Sequence, residues 1–216
     1  MIDLQLAQKS LPELKFALPG EWWQVPLHDE VSARASIRRL IDARVGRADE
    51  HSLLRDSMRR QLFDGLAAAI EGDGQSMTIA LDVIEGVPFS ASFTLYLPPL
   101  GMTPAVGTAP AEVMRVLEAG LAAMPDLHPE TVARFATTDS EVLRTHHIRQ
   151  VAAADEDDAG DALPTLVAQY WLTIPETKRV ILIVFSTVFV DLEQVMLDFF
   201  DSIVRALRWE DQDSST

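Results

Sequence analysis

The sequence predicts an α+β fold, a three-layer α/β/α sandwich in which a mainly antiparallel central sheet lies between helices. Strand patterns come in pairs joined by short turns, whereas single strands alternating with helices would indicate a parallel sheet. Residues 180–185 are all apolar, which is typical of a central strand covered on both faces. Helical patterns before, between and after the strand pairs supply the two covering layers.

Four segments have the periodicity of an amphipathic helix, because their apolar residues recur every three or four positions. Acidic residues begin the first segment, where the helix dipole favours negative charge, and a Gly-Asp-Gly sequence ends the second. The predicted helices cover residues 29 or 30 to 45, 49 or 52 to 71, 111–124 and 191–207. The expected buried faces contain Leu54, Met58, Leu62, Leu66 and Ile70 in the second helix and Leu192, Met196, Phe199, Ile203 and Leu207 in the fourth.

Alternation of apolar with other residues predicts the strands. A first hairpin with one buried face turns at residues 86–88, and a later hairpin turns at residues 175–178. A Pro-Gly turn followed by two tryptophans is typical of an edge strand that lies on the core. The predicted strands lie within residues 16–27, 77–83, 89–97, 131–136, 142–151, 166–174 and 180–187.

The length of 216 residues fits one domain. We predict an N-terminal extension at residues 1–14, a single sandwich domain at residues 15–209 and a polar, disordered tail at residues 210–216. The connection over residues 98–110 is rich in Pro, Gly and Thr, and it is longer than most loops of compact domains.

Charge and composition exclude several classes of function. Thirty-three acidic and 18 basic residues give a formal net charge of −15, so nucleic acid and anionic membrane surfaces would repel the chain. Cysteine is absent, which excludes disulfides, zinc ribbons and thiol nucleophiles. No secretory signal is visible, and no apolar stretch approaches the ~20 residues of a membrane span. We therefore expect a cytoplasmic protein with no cofactor, no nucleic-acid partner and no membrane insertion.

Several apolar phrases of the sequence resemble the PsbP-like superfamily, and in particular its bacterial members. The phrases are LPGEWWQVPL at residues 18–27, YWLTIP at residues 170–175, ILIVFST at residues 181–187 and FFDSI at residues 199–203. The resemblance spans about residues 15–208 and implies an antiparallel sheet between helices. It also implies a binding or assembly-assisting role, although a shared fold does not carry a shared function. The chain departs from the family at Val188 and Phe189, where a proline-bearing turn is expected, and no family contact residue can be matched.

Candidate catalytic and metal-binding groups are few. His146 and His147 are neighbours on a predicted strand, so their side chains point to opposite faces, whereas two ligands of one metal need the same face. The acidic residues 155–161 do not match a calcium-binding loop, because apolar residues occupy two of the ligand positions, and they indicate a solvated loop. Ser186 and Thr187 end the central strand, where hydroxyls commonly satisfy backbone groups. We predict no catalytic, cofactor or metal site.

Charge is unevenly distributed along the chain. Between residues 34 and 60, eight arginines accompany four acidic residues, a local charge of +4 in a chain of net charge −15. Guanidinium groups one helical turn apart can present several donor forks to carboxylates, although they can also pair with acids of their own helices. The candidate partner-binding residues are Arg34, Arg38, Arg39, Arg55, Arg59 and Arg60.

This pattern favours a non-catalytic protein-binding or assembly-accessory module. The expected partner is an acidic protein or a second copy of the chain, whose acidic residues 155–161 would meet the arginines. The alternative is a small-molecule-binding protein or an unrecognised hydrolase. Its pocket would lie between the sheet and residues 98–110, with this long loop as a lid.

Overall fold

A computed structural model defines the fold over most of the chain. It describes residues 2–4, 11–45, 52–83, 90–100, 102, 105–123, 131–149 and 164–210. The predicted turn at residues 86–88, the acidic residues 155–161 and residues 211–216 lie outside this description. So do the side chains of residues 2–4, 44, 45, 52–58, 60, 61 and 82, including those of Leu54 and Met58.

Within these residues the chain forms four α-helices and ten strands. The helices are α1 (Glu30–Val45), α2 (Ser52–Glu71), α3 (Pro110–Leu121) and α4 (Glu193–Arg205), and a 3₁₀ turn at Val190–Leu192 leads into α4. The strands are β1 (Ile2–Leu4), β2 (Glu13–Phe16), β3 (Glu21–Val25), β4 (Gly74–Asp82), β5 (Ala91–Tyr96), β6 (Ala133–Ala136), β7 (Glu141–Arg149), β8 (Thr165–Thr173), β9 (Val180–Thr187) and β10 (Arg208–Glu210).

Seven strands form the central sheet in the order β3-β4-β5-β9-β8-β7-β6, and every neighbouring pair is antiparallel. β9 occupies the middle position, as the apolar residues 180–185 predict. β3, which carries the two tryptophans, lies at one end of the sheet and is the predicted edge strand. The α+β class and the antiparallel central sheet are therefore confirmed.

One face of the sheet is covered by α4. Alternate residues of β9, among them Ile183 and Phe185, point into the largest core cluster together with the buried face of α4. The Phe185 ring stacks on Phe200 of α4 with centroids 4.6 Å apart, and it meets the edge of Tyr170 at 5.4 Å. These aromatic contacts fix α4 across the middle of the sheet.

A second, three-stranded sheet in the order β1-β2-β10 shares this face and is not predicted by the sequence patterns. Leu14 and Phe16 of β2 are fully buried, and the Phe16 ring stacks on Phe93 of β5 at 5.0 Å. Leu11 is buried as well, and Glu210 pairs with Glu13 in the small sheet. The core therefore includes residues of the predicted N-terminal extension, and β10 includes the first residue of the predicted tail.

Helices cover the opposite face of the sheet in two separate places. α1 and α2 pack over β3 and β4, where Ile37 and Leu66 of the helices meet Met77 of β4. α3 packs over β7 and β8, where Leu117 meets Leu143. The three-layer arrangement is present, with the small sheet added to the α4 layer.

β4 is buried on both faces, so the prediction of one buried face is wrong for this strand, whereas β5 buries Phe93 and Leu95 and leaves Ser92 and Tyr96 partly exposed on its other face. Phe93 and Leu95 point toward the α4 layer, whereas Met77 and Ile79 point toward α1 and α2. β4 lies one strand inside the sheet edge, and both layers reach it. Its apolar and hydroxyl residues therefore alternate between two covered faces.

The buried faces of α2 and α4 also differ from prediction. Ile70 is 38% exposed, whereas its neighbour Ala69 is fully buried. Leu192 is 52% exposed because it belongs to the 3₁₀ turn, whose tighter winding shifts the phase of the helical pattern. On α4 itself, Phe200 is fully buried and Phe199 only partly.

Candidate functional site

Two of the predicted arginines meet where α1 contacts α2. Nε of Arg34 donates to Oε1 of Glu30 at 2.8 Å, which is an ion pair within α1. The guanidinium carbons of Arg34 and Arg38 lie 5.2 and 5.8 Å from the centroid of the Phe63 ring on α2. Cation–π attraction therefore holds both guanidiniums beside α2.

The outer surface of α1 presents guanidinium groups to solvent. Arg38 and Arg39 are exposed, and neither has an ion-pair partner among the residues that the structure describes. Val31, which is 77% exposed, and Ala35 lie on the same side of the helix at intervals of about one turn. We call these four residues, Val31, Ala35, Arg38 and Arg39, the arginine surface.

The other predicted arginines are placed only in part. Arg59 is half-buried on α2. The side chains of Arg55 and Arg60 lie outside the described part of the chain, so their contribution to a partner site stays a prediction.

The central strands have an area on the α1–α2 and α3 side that belongs to neither helical core cluster. Thr94, Thr145 and Val167 are buried there, and its other residues are partly or fully exposed. Two rows of paired residues cross this area, Thr94-Val184-Gln169-Thr145 and Ser92-Ser186-Val167-His147. Leu182 and Val184 are only partly buried and belong to neither helical core cluster. We call this area the central trough; it consists of Ser92, Thr94, Tyr96, Thr145, His147, Arg149, Val167, Gln169, Leu182, Val184 and Ser186.

Polar contacts in the trough leave hydrogen-bond donors unused. The hydroxyls of Ser92 and Ser186 share one hydrogen bond of 2.8 Å. The Thr145 hydroxyl donates to Oε1 of Gln169 at 3.3 Å, which leaves the Gln169 amide nitrogen without a partner among the described residues. Burial raises the pKa of Tyr96 above its usual value, and a hydrogen bond with Thr94 partly offsets that effect.

Arg149 is exposed, has no ion-pair partner in the described part of the chain and occupies an alternate position of β7 that faces the trough. Its charge lowers the pKa of the Tyr96 hydroxyl and of the His147 ring, which belong to β5 and β7. The guanidinium therefore lies within electrostatic range of both sides of the trough.

His147 provides a direct test of that placement. Burial lowers the pKa of His147 below its ordinary 6.5, and the charge of Arg149 lowers it further. The folded pKa is below the unfolded pKa, so the stability linked to His147 is fully present above pH 6.5 and decreases as the pH falls below it. In an NMR titration we expect Arg149→Gln to raise the pKa of His147 toward 6.5, whereas Arg115→Gln, a change on α3, leaves it unaltered. An unaltered pKa in Arg149→Gln would contradict the placement.

A buried polar cluster joins α4 to the other face of the sheet. The Tyr170 hydroxyl donates to Oδ1 of Asp201 at 2.7 Å, and Nη1 of Arg144 donates to Oδ2 at 2.9 Å. Burial, and then the Asp201 hydrogen bond, raise the pKa of Tyr170 well above its usual range, so the hydroxyl stays protonated. Asp201 accepts hydrogen bonds from one side chain of β7 and one of β8, so we infer that the cluster holds α4 on the sheet.

The adjacent histidines lie on opposite faces, as predicted. His146 points to α4, where its Nε2 lies 3.0 Å from Oε1 of Glu193, whereas His147 belongs to the central trough. In the described part of the chain, no group of three or more His, Cys, Asp or Glu side chains could hold a metal ion.

The hydroxyl pair at the end of β9 satisfies local polar groups, which confirms the structural interpretation of these residues. The Thr187 hydroxyl donates to the backbone carbonyl of Ser90 at 2.6 Å and accepts from the backbone N–H of Phe189 at 3.2 Å. The Ser186 hydroxyl is hydrogen-bonded to that of Ser92 on the neighbouring strand β5.

A shallow, open depression of about 450 Å³ lies between the loop before β3 and the end of α4. Ala17, Leu18, Pro19, Ser202 and Ile203 line it, so it offers one hydroxyl and no charged side chain. The predicted pocket under residues 98–110 stays a prediction, because part of that loop lies outside the described residues.

Sequence reasoning missed both the polar cluster and the trough. Arg144 and Asp201 are far apart in sequence, and only the charged residue between Val142 and His146 on one face of β7 signals the cluster. The trough is signalled by the polar alternate residues of β5 together with Gln169 of β8, which the patterns did not connect.

The fold and these surfaces define an α+β protein with an antiparallel sheet covered by helices. Among the described residues, no helix has the length and apolar character of a membrane span. No protein-family model matches the chain, and no curated protein matches it. A search of solved structures finds a likeness to LpqN of Mycobacterium tuberculosis, a protein involved in cell envelope biogenesis. The two chains share 10% sequence identity over 97% of this chain and 90% of LpqN, with a TM-score of 0.46.

Proposed function

We propose that this chain is a non-catalytic binding module that engages an acidic protein surface through the arginine surface of α1. The observation that carries the proposal is that Arg38 and Arg39 are exposed and have no carboxylate partner in the described part of the molecule. Guanidinium groups held in this way can form paired hydrogen bonds to carboxylates.

The negative charge of the molecule outside the arginine surface favours contact of an acidic partner at that surface. The chain carries a net charge of −15, so most of its surface repels an acidic protein. A basic surface on an acidic molecule steers the partner to one place and disfavours other encounters. The exposed Val31 and Ala35 beside the arginines add apolar area to the contact.

We also propose that the chain is a bacterial, cytoplasmic member of the PsbP-like superfamily. The supporting observations are the sequence phrases given above and an antiparallel sheet between helices, which the resemblance implies. A binding or assembly-assisting role is consistent with this assignment, although the fold by itself does not determine function.

Charge reversal of the two exposed arginines tests the binding role. We expect the double variant R38E/R39E to retain the fold and to lose about tenfold in partner capture, because two rim guanidiniums become repulsive carboxylates. The measurement compares proteins retained from a lysate of the source organism on the immobilised parent and variant, quantified by mass spectrometry. Retention should also decrease as salt is raised, because exposed charges are screened.

The matched control is R115E/R208E, which makes the same change in net charge at two exposed arginines on α3 and β10. The proposal requires that this control still captures the partner. Equal capture by the parent and R38E/R39E, or equal losses in the two double variants, would exclude the arginine surface as the binding site.

A further inference from the structure

The central trough is wide and long enough to hold a small ligand. It crosses β5, β9, β8 and β7, which is three interstrand steps of about 4.8 Å each. Along β9 it extends from Ser186 to Leu182, a distance of about 13 Å. The helices that border it are α2, over β4, and α3, over β7 and β8. A molecule with one ring and a short chain fits these dimensions.

The floor of the trough combines apolar and donor groups. Leu182 and Val184 on β9 are partly buried and face neither helical core cluster, so an apolar body placed on them would remove hydrophobic surface from water. The Gln169 amide nitrogen and one proton of the Ser92–Ser186 pair are available for a ligand.

The charge in the trough has one sign. Arg149 faces it without an ion-pair partner among the described residues, and none of the trough residues is an Asp or Glu. An arginine without an ion-pair partner in the described part of the molecule is notable, because the whole sequence has 33 acidic and 18 basic residues. The donors and the positive charge that the described residues leave without partners therefore favour a ligand that is an anion and an acceptor.

We propose that the central trough binds a small carboxylate with an apolar body. The carboxylate accepts hydrogen bonds from the Arg149 guanidinium and the Gln169 amide, and the apolar body packs on Leu182 and Val184. A carboxylate fits better than a phosphate because one guanidinium matches its single charge, whereas a phosphate dianion would require further cations. This site is separate from the arginine surface, which lies on α1, and it does not depend on the function proposed above.

Three probes with one apolar body and different head groups test the proposal. They are 4-phenylbutyrate, 4-phenylbutanol and 4-phenylbutylamine, titrated into the full chain by isothermal calorimetry and by NMR of the Gln169 side-chain amide. We expect phenylbutyrate to bind about tenfold more tightly than the alcohol, because its carboxylate forms charge-assisted hydrogen bonds. The amine should bind more weakly than the alcohol, since Arg149 repels it.

Variants assign the binding to the trough. Arg149→Gln should reduce phenylbutyrate affinity to that of the alcohol, whereas Arg115→Gln, an exposed arginine of α3, should leave it unchanged. Val184→Lys fills the floor and should abolish binding of the alcohol, with circular dichroism confirming that each variant is folded.

Three results would overturn the assignment. They are no saturable binding of any probe, equal affinity for the acid and the alcohol, and equal losses in Arg149→Gln and Arg115→Gln. R38E/R39E should bind phenylbutyrate like the parent, so a failed partner-capture experiment and a failed ligand experiment are distinguishable.

Discussion

Replacing Asp201 by alanine is expected to destabilise the protein by about 3 kcal/mol, although the substituted side chain is distant from both proposed binding surfaces. Asp201 accepts hydrogen bonds from the Tyr170 hydroxyl and from Arg144, whose side chain is 11% exposed. Without it, a buried guanidinium and a buried hydroxyl lose their partner, and each pays a desolvation cost that the folded state no longer offsets. Urea denaturation followed by circular dichroism measures the change in the free energy of unfolding.

Asp198 provides the matched control on the same helix. It is exposed and accepts a hydrogen bond from Gln194 one turn away, so Asp198→Ala should change stability by about 0.5 kcal/mol or less. A loss below about 1 kcal/mol in Asp201→Ala would show that the buried cluster does not fasten α4 to the sheet.

Replacing Phe200 by alanine should have the largest effect on stability, about 4 kcal/mol. Phe200 is fully buried on α4, and its ring stacks on Phe185 at the centre of the sheet with centroids 4.6 Å apart. The substitution removes apolar contacts and leaves a cavity that neighbouring strands cannot fill by moving, because β9 is held on both sides. Chemical denaturation again provides the measurement.

Two further variants define the cause of that loss. Phe200→Leu retains most of the apolar volume and should cost much less than Phe200→Ala. Val195→Ala, on the outer side of α4 where Val195 is 61% exposed, should change stability by about 0.5 kcal/mol or less. Equal losses in Phe200→Ala and Val195→Ala would contradict the packing of α4 described here.

The elements that the sequence predicts well are those with strong local signals. The uninterrupted apolar residues 180–185 place β9 at the centre of the sheet, and the Pro-Gly turn with two tryptophans places β3 at its edge. Helical periodicity finds all four helices, with α3 ending three residues before the predicted end at residue 124. These predictions depend on the secondary-structure preferences of residues that are close in sequence, and tertiary contacts do not override those preferences in these segments.

Features that depend on tertiary contacts are not visible in local patterns. β2 is four residues long, and its pairing with β10 joins residues 13–15 to residues 208–210. Leu192 satisfies the helical periodicity but lies in a 3₁₀ turn, which the pattern cannot distinguish from the first turn of α4. Hydrophobic patterns therefore predict which segments form helices or strands better than they predict which residues of each helix or strand are buried.

The two candidate surfaces also depend on tertiary contacts that local sequence patterns do not show. Charge counting along the sequence locates the arginine-rich helices, but only the structure shows that Arg34 and Arg38 contact Phe63 while Arg38 and Arg39 are exposed. The central trough needs the strand order and register, since its residues come from β7, β8 and β9 and from β5, which is distant from them in the chain. Neither the order of β9 between β5 and β8 nor the gap between α2 and α3 is encoded in a local motif.

Site-specific photocrosslinking from α1 tests the proposed function most directly. A photoreactive amino acid replaces Ala35, which is exposed between the arginines and Val31, and the control position is Ala119, which is exposed on α3. We expect a protein adduct at position 35 whose crosslinked segment is rich in Asp and Glu, and we expect R38E/R39E to remove it. No adduct at position 35, or the same adduct at positions 35 and 119, would contradict a partner-binding role for the arginine surface.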